Sequence, residues 1–490
     1  MAKVIMIQGT MSNAGKSFLT AALCRIFRQD GHRVAPFKSQ NMALNSYITE
    51  DGLEIGRAQA LQAEAAGIAP SALMNPILLK PTTDVGSQVI VNGIARGNMR
   101  AAEYFRRKSE LIPDILHAFN SLSEQFDVIV IEGAGSPVEL NLKENDIVNM
   151  GLAKLLHAPV LLAGDIDRGG IFAQLLGTLD LLDPDERTLV KGLIVNQFRG
   201  DLSIFQDGVS LLEARSGIPV IGVVPHIECD LEDEDSLSDK LNRRAADAAL
   251  DLAVIRLPKI SNFTDFDVFS QYPAVSVRYV SKPEQLGTPD LIFLPGSKST
   301  IADMEWLRNT GLEEAVRRCY ANGIPIFGIC GGFQMLGAEI CDPDGSETGG
   351  SIGGLGLLPC RTVFSKQKTQ MQTEGRFAEI NKGFFSCLSG KSFYGYEVHM
   401  GQTSQDGSAL TDRGGCVSGN AAGCYVHGIF DSAEVSGALI AALSAKKRIT
   451  VSAPAIDRNV YREQQINLMA DAVRKHLNMD AIYQIMEKQI

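Results

Sequence analysis

None of the nine cysteines (24, 229, 319, 330, 341, 360, 387, 416 and 424) belongs to a C-x-x-C pair, and their number is odd. Such scatter excludes a disulfide framework and a zinc site of ordinary ligand spacing, and points to a reducing compartment. No apolar run approaches the length of a membrane span, and Val4–Ile7 before Gly9 is too short for the h-region of a secretory signal. A cytoplasmic location is therefore expected. Positive charge is also scarce: 46 Lys and Arg against 57 Asp and Glu leave a net charge of −11. That balance argues against nucleic-acid binding driven by phosphate neutralisation, so an anionic ligand must be met by a local basic site. The chain has no internal repeat and no low-complexity tract.

What is present is ample core. With 490 residues, 45% hydrophobic and 21% charged, the chain exceeds what one hydrophobic core serves, and two large domains or three smaller ones are expected. In the first half, short β-branched runs (Val4–Gln8, Val34–Phe37, Val128–Glu132, Pro159–Ala163, Leu193–Asn196, Val220–Val224) alternate with helical patterns such as Lys16–Arg28 and Ile171–Leu182. This alternation predicts an α/β fold, a parallel sheet covered by helices on both faces. It falters in the acidic, Ser-rich stretch from Leu231 and resumes at Leu252–Leu257, Leu291–Leu294, Ile324–Gly328 and Gly423–Val426. The division that follows is 1–235, a linker over 236–250, a second α/β domain over 251–440, and a helical segment over 441–490. The last, above all Tyr461–Leu477, either caps the second domain or packs against the first.

Directly after the first strand stands Gly9-Thr10-Met11-Ser12-Asn13-Ala14-Gly15-Lys16-Ser17, followed by a helix. Strand, glycine-rich turn and helix N-terminus are what a phosphate-binding loop requires. Backbone N–H groups from Gly9, Thr10, Asn13, Ala14 and Gly15 can wrap phosphate oxygens. Lys16 can reach the terminal phosphates of ATP, and the Ser17 hydroxyl can coordinate Mg²⁺. The loop is one residue longer than the commonest pattern, and in this it is similar to the dethiobiotin-synthetase-like branch, which activates carboxylates with ATP. Glu132 ends a buried strand at the edge where ligands bind in parallel sheets, which makes it the second Mg²⁺ candidate, with Asp51 a weaker one. Lys38, after the second strand, faces the same crevice and can neutralise a phosphate or a substrate carboxylate. Asp165 and Asp167 end another strand, and Asn196 ends a further one, where its amide can read adenine.

In the second half, Ile324-Pro325-Ile326-Phe327 breaks into Gly328-Ile329-Cys330-Gly331-Gly332 and continues as a helix. A strand that stops in a glycine-flanked turn before a helix holds its central residue strained and exposed, beside backbone N–H groups that favour a thiolate and an oxyanion. Cys330 is thus a candidate nucleophile. It needs an imidazole to receive and return a proton. His427, past a short strand with Gly428 at its exit, is the first choice; His399, sharing a strand face with Glu397, is the second and fits a hydrogen-bonded structural histidine better. The N–H groups around Gly296, in Pro295-Gly296-Ser297-Lys298, can complete an oxyanion hole with that of Gly331.

Together these segments resemble the cobyric acid synthase family, glutamine-dependent amidotransferases of cobalamin synthesis. The resemblance covers nearly the whole chain. It rests on Gly9–Ser17, Phe37-Lys38-Ser39-Gln40-Asn41-Met42, Leu79-Lys80-Pro81, Ser87-Gln88-Val89-Ile90-Val91-Asn92-Gly93, Ile131-Glu132-Gly133-Ala134-Gly135-Ser136-Pro137 and Asp165-Ile166-Asp167-Arg168-Gly169-Gly170. In the second half it rests on Pro295–Lys298, Gly328–Gly337, Gly395–Gly401 and Tyr425-Val426-His427-Gly428. It implies a dethiobiotin-synthetase-like P-loop domain joined to a class I glutamine amidotransferase domain of flavodoxin-like fold. Glutamine would be hydrolysed at Cys330, and ammonia would displace phosphate from acyl phosphates made on the b, d, e and g side chains of adenosylcobyrinic acid a,c-diamide. Glutaminases of this class usually carry a glutamate two residues after the histidine, where this chain has Ile429. A Cys–His dyad is implied, with Asp431 as a candidate orienter. For the corrinoid carboxylates the basic candidates are Lys38, Lys80 and Arg96, with Arg57 in reserve; Arg106–Lys108 reads better as a solvated helix face. Two alternatives remain. One is cobyrinic acid a,c-diamide synthase; the other is a P-loop switch ATPase with a non-catalytic second half, against which Met11 and Ser12 stand where that type carries a lysine.

Overall fold

The computed structural model describes residues 2–83, 85–231, 248–451 and 458–488. Six strands of the first half form a wholly parallel sheet in the order Val220–Pro225, Val190–Phe198, Val160–Asp165, Lys3–Gly9, Val128–Glu132, Val34–Phe37. Their continuous apolar runs are what burial on both faces demands; all five residues of Val128–Glu132 are buried. Register carries chemistry to one edge. Ile7 lies beside Glu132, Gly9 beside Ala163, and Asp165 beside Asn196, so the loop after Gly9 emerges between the two strands that end in acids.

The second half is built on a seven-stranded sheet in the order Val275–Val280, Leu250–Ile255, Leu291–Leu294, Ile326–Ile329, Ala421–Cys424, Gly414–Ser418, Ser408–Thr411. The first five strands run parallel and the last two antiparallel. Leu250 already belongs to a strand, and 236–247 of the expected linker lie outside the described residues.

Two further units lie outside the long apolar runs, and only the stretch around Glu397 and His399 was read as strand. Beside the first sheet, Gln40–Met42, Ile77–Thr83, Gly86–Val91 and Ile94–Arg100 form a four-stranded mixed sheet, accompanied by the hairpin Ser46–Ile48/Glu54–Gly56. In the second half, Cys360–Arg376 and Ser392–Gln405 form a long antiparallel pair whose register shifts between Phe364 and Thr369. These strands are rich in polar residues because they face the other half as much as a core. Gln370 Nε2 donates to Gly52 O (2.7 Å) and Gly93 O (3.1 Å), and Gln372 Nε2 donates to Ile48 O.

The C-terminal segment divides between the halves. Ala433–Lys447 is one helix of the second half, so a boundary at 440 cuts through it, with Val435, Leu439 and Leu443 in that half's core. Arg458–His476 instead returns to the first half: Ile466, Met469, Ala470 and Val473 join Leu19, Leu23 and Ile26 of the helix Lys16–Gln29. Arg25 pairs with Glu463, and Arg474 with Asp30 at 2.8 Å. Among the described residues no helix is long and apolar enough to cross a membrane.

Candidate active sites

The loop after Lys3–Gly9 is held from three sides. Thr10 N–H donates to Ala163 O (2.9 Å) and its hydroxyl to Gln174 Oε1 (3.1 Å), while Lys16 Nζ donates to Met11 O (2.9 Å) and Gly135 O (3.0 Å). The helix Lys16–Gln29 begins at Gly15 (φ 88°), which brings no side chain to the helix end. A helix N-terminus framed in this way suits phosphate. Ser17 Oγ donates to Glu132 Oε1 at 2.7 Å, so the two oxygens read as Mg²⁺ ligands do meet. Their hard-donor chemistry fits a Mg²⁺ that takes its remaining ligands from phosphate and water. Among the described residues no group of three or more His, Cys, Asp or Glu could hold a metal by itself.

Glu132 has more partners than a lone ligand. Its Oε1 also accepts from Lys38 Nζ (2.7 Å), its Oε2 from Gln62 Nε2 (2.5 Å), and both members of the Lys38–Glu132 pair are buried. Lys38 therefore reaches the crevice but is engaged by the carboxylate. Asn196 requires a correction: it is 1% exposed and its Nδ2 donates to Ala14 O (3.0 Å), so it braces the loop from beneath instead of presenting its amide to adenine. Asp51 likewise does not join Ser17 and Glu132. It is exposed in the turn of the hairpin Ser46–Ile48/Glu54–Gly56, where Thr49 Oγ1 donates to it. Asp165 accepts from Asp167 N–H (2.9 Å) and pairs with Arg168 (3.2 Å).

At the second site Cys330 has φ 51° and ψ −109°, the strained backbone of an elbow, and is the N-cap of the short helix Gly331–Leu336. Its sulfur lies 3.7 Å from Val398 O, and Cys330 and His427 line one pocket. Gly296 and Gly331 abut this pair. A methyl group on Gly296 would lie 3.0 Å from His427 Cε1, and one on Gly331 would lie 2.7 Å from Ser297 N, so neither position admits a side chain without movement. Gly296–Ser297 is held across the elbow by antiparallel pairing with Ile260–Ser261.

The acid behind the histidine is Asp265, which sequence reasoning missed. His427 Nδ1 lies 2.8 Å from Asp265 Oδ2, and Gly428 N–H donates to Asp265 Oδ1 at 2.8 Å. Both side chains are almost wholly buried. Burial pulls the imidazole pKa down, but the charge and hydrogen bond of Asp265, with Cys330 adding to them, outweigh it and raise His427 to about 10. The arrangement can therefore set an imidazolium against the sulfur and hold its Nδ1 proton in place. The expected dyad is thus corrected to a triad, and Asp431 is not its acid: Asp431 pairs with Arg458 Nε at 3.3 Å, and Ile429 is core. The available signal was an acid inside the aromatic run Phe263-Thr264-Asp265-Phe266, since an acid amid such residues requires a partner. His399 bonds Gly401 O (2.7 Å) and Glu397 Oε2 (3.2 Å) and stacks on Tyr425 at 3.6 Å, a held ring as expected.

The three basic residues read as corrinoid contacts do not converge. Lys38 is bound to Glu132, Arg96 is exposed on the strand Ile94–Arg100, and Lys80 is buried against Glu54 at 2.8 Å. Lys80 lines the pocket of Cys330 and His427, which corrects its reading as a corrinoid contact.

Two family models match the chain. One, described as a CobQ/CobB/MinD/ParA nucleotide binding domain, matches residues 5–236; the other, a CobB/CobQ-like glutamine amidotransferase domain, matches residues 251–435. The cobyric acid synthase of Lachnoclostridium phytofermentans is 53% identical, with all of both chains covered. That of Ruminiclostridium cellulolyticum is 54% identical over all of this chain and 98% of its own, and that of Citrobacter koseri 47% identical over all of this chain and 99% of its own.

Proposed function

The chain belongs to the cobyric acid synthase family, and from that premise we propose that it amidates the b, d, e and g carboxylates of adenosylcobyrinic acid a,c-diamide with ATP–Mg²⁺ and glutamine. It is an ATP-dependent glutamine amidotransferase of two α/β halves. The observation that carries the division of labour is the Cys330–His427–Asp265 arrangement in one chain with the loop Gly9–Ser17.

In the second half, Cys330 Sγ attacks the side-chain amide carbon of glutamine, and the oxyanion is received by N–H groups at Gly331 and Gly296. His427 gives its proton to the departing ammonia, leaving a thioester. Water then attacks, His427 takes its proton, and glutamate leaves. Asp265 holds the imidazole ring and its Nδ1 proton throughout. In the first half, Lys16 and the loop orient the ATP phosphates, and a corrinoid carboxylate attacks the γ-phosphorus to give an acyl phosphate and ADP. Ammonia adds to the acyl carbon and expels phosphate. Mg²⁺, held by Ser17 and Glu132, would neutralise phosphate charge. The reaction belongs in the cytoplasm, where ATP and glutamine are at hand.

Mass spectrometry tests the proposal. Incubated with adenosylcobyrinic acid a,c-diamide, ATP, Mg²⁺ and glutamine, the corrinoid should undergo four carboxyl-to-amide conversions. No conversion with either glutamine or ammonia would sink it. Cys330→Ala should abolish glutamine use and keep ammonia-supported amidation; loss of both would mean that Cys330 serves the synthetase site or the fold.

A further inference from the structure

Charge from both halves surrounds the pocket in front of Cys330. Lys298, Lys368 and Glu347 line it from the second half, and Lys80, on the strand Ile77–Thr83 of the first half, lines it too. Glu54, fully buried, accepts from Lys80 Nζ at 2.8 Å and from Lys368 Nζ, so one carboxylate of the first half holds a lysine from each side. Lys80 Nζ also donates to Ser46 Oγ (3.0 Å). Ser46 donates its N–H to Asn262 Oδ1 (2.9 Å) and accepts at its carbonyl from Tyr396 Oη (2.9 Å), and Tyr396 stacks on His427.

Lys298 and Glu347 stand apart from that network. Among the described residues Lys298 Nζ has one hydrogen bond, to Gln88 Oε1 of the first half (3.2 Å), and no carboxylate within ion-pair reach. Glu347 accepts from Thr300 N–H (2.6 Å) and the Thr300 hydroxyl (3.4 Å), and among the described residues no lysine or arginine forms an ion pair with it. A cation and an anion thus line one pocket without pairing with each other. Burial and repulsion from Lys368 and Lys80 draw Lys298 down to about 7, and burial raises Glu347 to about 7, the attraction of each for the other opposing these shifts only in part. Each is a group that gains by meeting an opposite charge. A free α-amino acid offers one of each sign, about one side-chain length from the amide that Cys330 attacks.

We propose that Lys298 receives the α-carboxylate of glutamine and Glu347 its α-ammonium, and that the Lys80–Glu54 pair of the first half completes the site by fixing Lys368 beside them. The inference rests on the reading of Cys330 as a glutaminase nucleophile. It makes the glutamine site a joint construction of the two halves, with Lys80 and Glu54 as positioning residues.

Three amides test it on the full-length chain: glutamine, L-glutaminamide, which has no α-carboxylate, and glutaramate, which has no α-amino group. The wild type should prefer glutamine over both. Lys298→Met should lower the glutamine-to-glutaminamide ratio of kcat/KM about 10- to 100-fold, the range of a charge-assisted contact, with Lys298→Arg restoring most of it. Glu347→Gln should lower the glutamine-to-glutaramate ratio instead. Lys80→Met and Glu54→Gln should raise KM for glutamine about tenfold with a smaller change in kcat. A wild-type ratio in Lys298→Met, or hydrolysis of neither compound by it, overturns the assignment of the α-carboxylate, and an unchanged KM in Lys80→Met removes the first half from the site. A wild-type chain that hydrolyses no glutamine would instead overturn the function proposed above.

Discussion

Replacing Asp265 by asparagine keeps the shape of the residue and removes its charge, and the hydrogen bonds around it dictate the consequence. Gly428 N–H takes one terminal oxygen and His427 Nδ1 the other, both at 2.8 Å. Asparagine has a single oxygen. With that oxygen facing Gly428 N–H, its NH₂ faces Nδ1, the imidazole must accept there, and the proton moves to Nε2. A neutral ring in that tautomer has no lone pair for the thiol proton and cannot serve as base. The energy at stake follows from the rise of His427 from the ordinary imidazole value near 6.5 to about 10, which at about 1.4 kcal/mol per unit corresponds to about 5 kcal/mol. Catalysis draws on part of this, so glutamine hydrolysis should fall roughly 10²- to 10⁴-fold. The assay is steady-state glutamate release, run beside amidation supported by ammonium chloride, which should persist because Asp265 lies in the second half. Glutaminase activity within about threefold of wild type would refute the reasoning.

The same ion pair makes stability depend on pH. A histidine whose folded pKa is raised contributes its stability fully below the unfolded value near 6.5 and loses it as pH rises through about 10; urea unfolding of the wild type should therefore weaken across that window, and Asp265→Asn should show a flatter dependence. Glu132→Gln leaves Lys38 buried against a neutral partner, so denaturation should report a loss of about 3–5 kcal/mol together with lost ATP turnover, and unaltered stability would show that the pair is not a buried charge pair. Gly331→Ala pushes a methyl group to 2.7 Å from Ser297 N; displacement of that strand should cost glutamine hydrolysis more than tenfold, and wild-type kinetics would remove Gly296–Ser297 from the oxyanion site.

The parallel strands were legible because burial on both faces requires unbroken apolar runs, and Val34–Phe37, Val128–Glu132 and Leu291–Leu294 occupy the positions that pattern predicts. The strands bearing Lys80 and Gln370 were not, and of the strand bearing Tyr396 only the stretch around Glu397 and His399 was. They divide their faces between a core and the opposite half, so polar residues interrupt their alternation, and the register shift at Phe364–Thr369 breaks it further. The same difference separates the site residues. Lys16, Ser17 and Cys330 sit within motifs whose local geometry is written in a few consecutive residues, whereas Asp265 reaches His427 across 162 positions.

By itself, then, the sequence determined what short-range geometry can encode: a phosphate loop where a strand meets a helix, and a strained cysteine between glycines. Periodicity also determined two α/β halves. Only the tertiary structure decided which acid stands behind His427, that Asn196 braces the loop, and that Lys80 belongs to the pocket of Cys330. The physical reason is that an isolated charge cannot remain buried. Each such group must find a partner, and folding, not proximity along the chain, selects which one it finds.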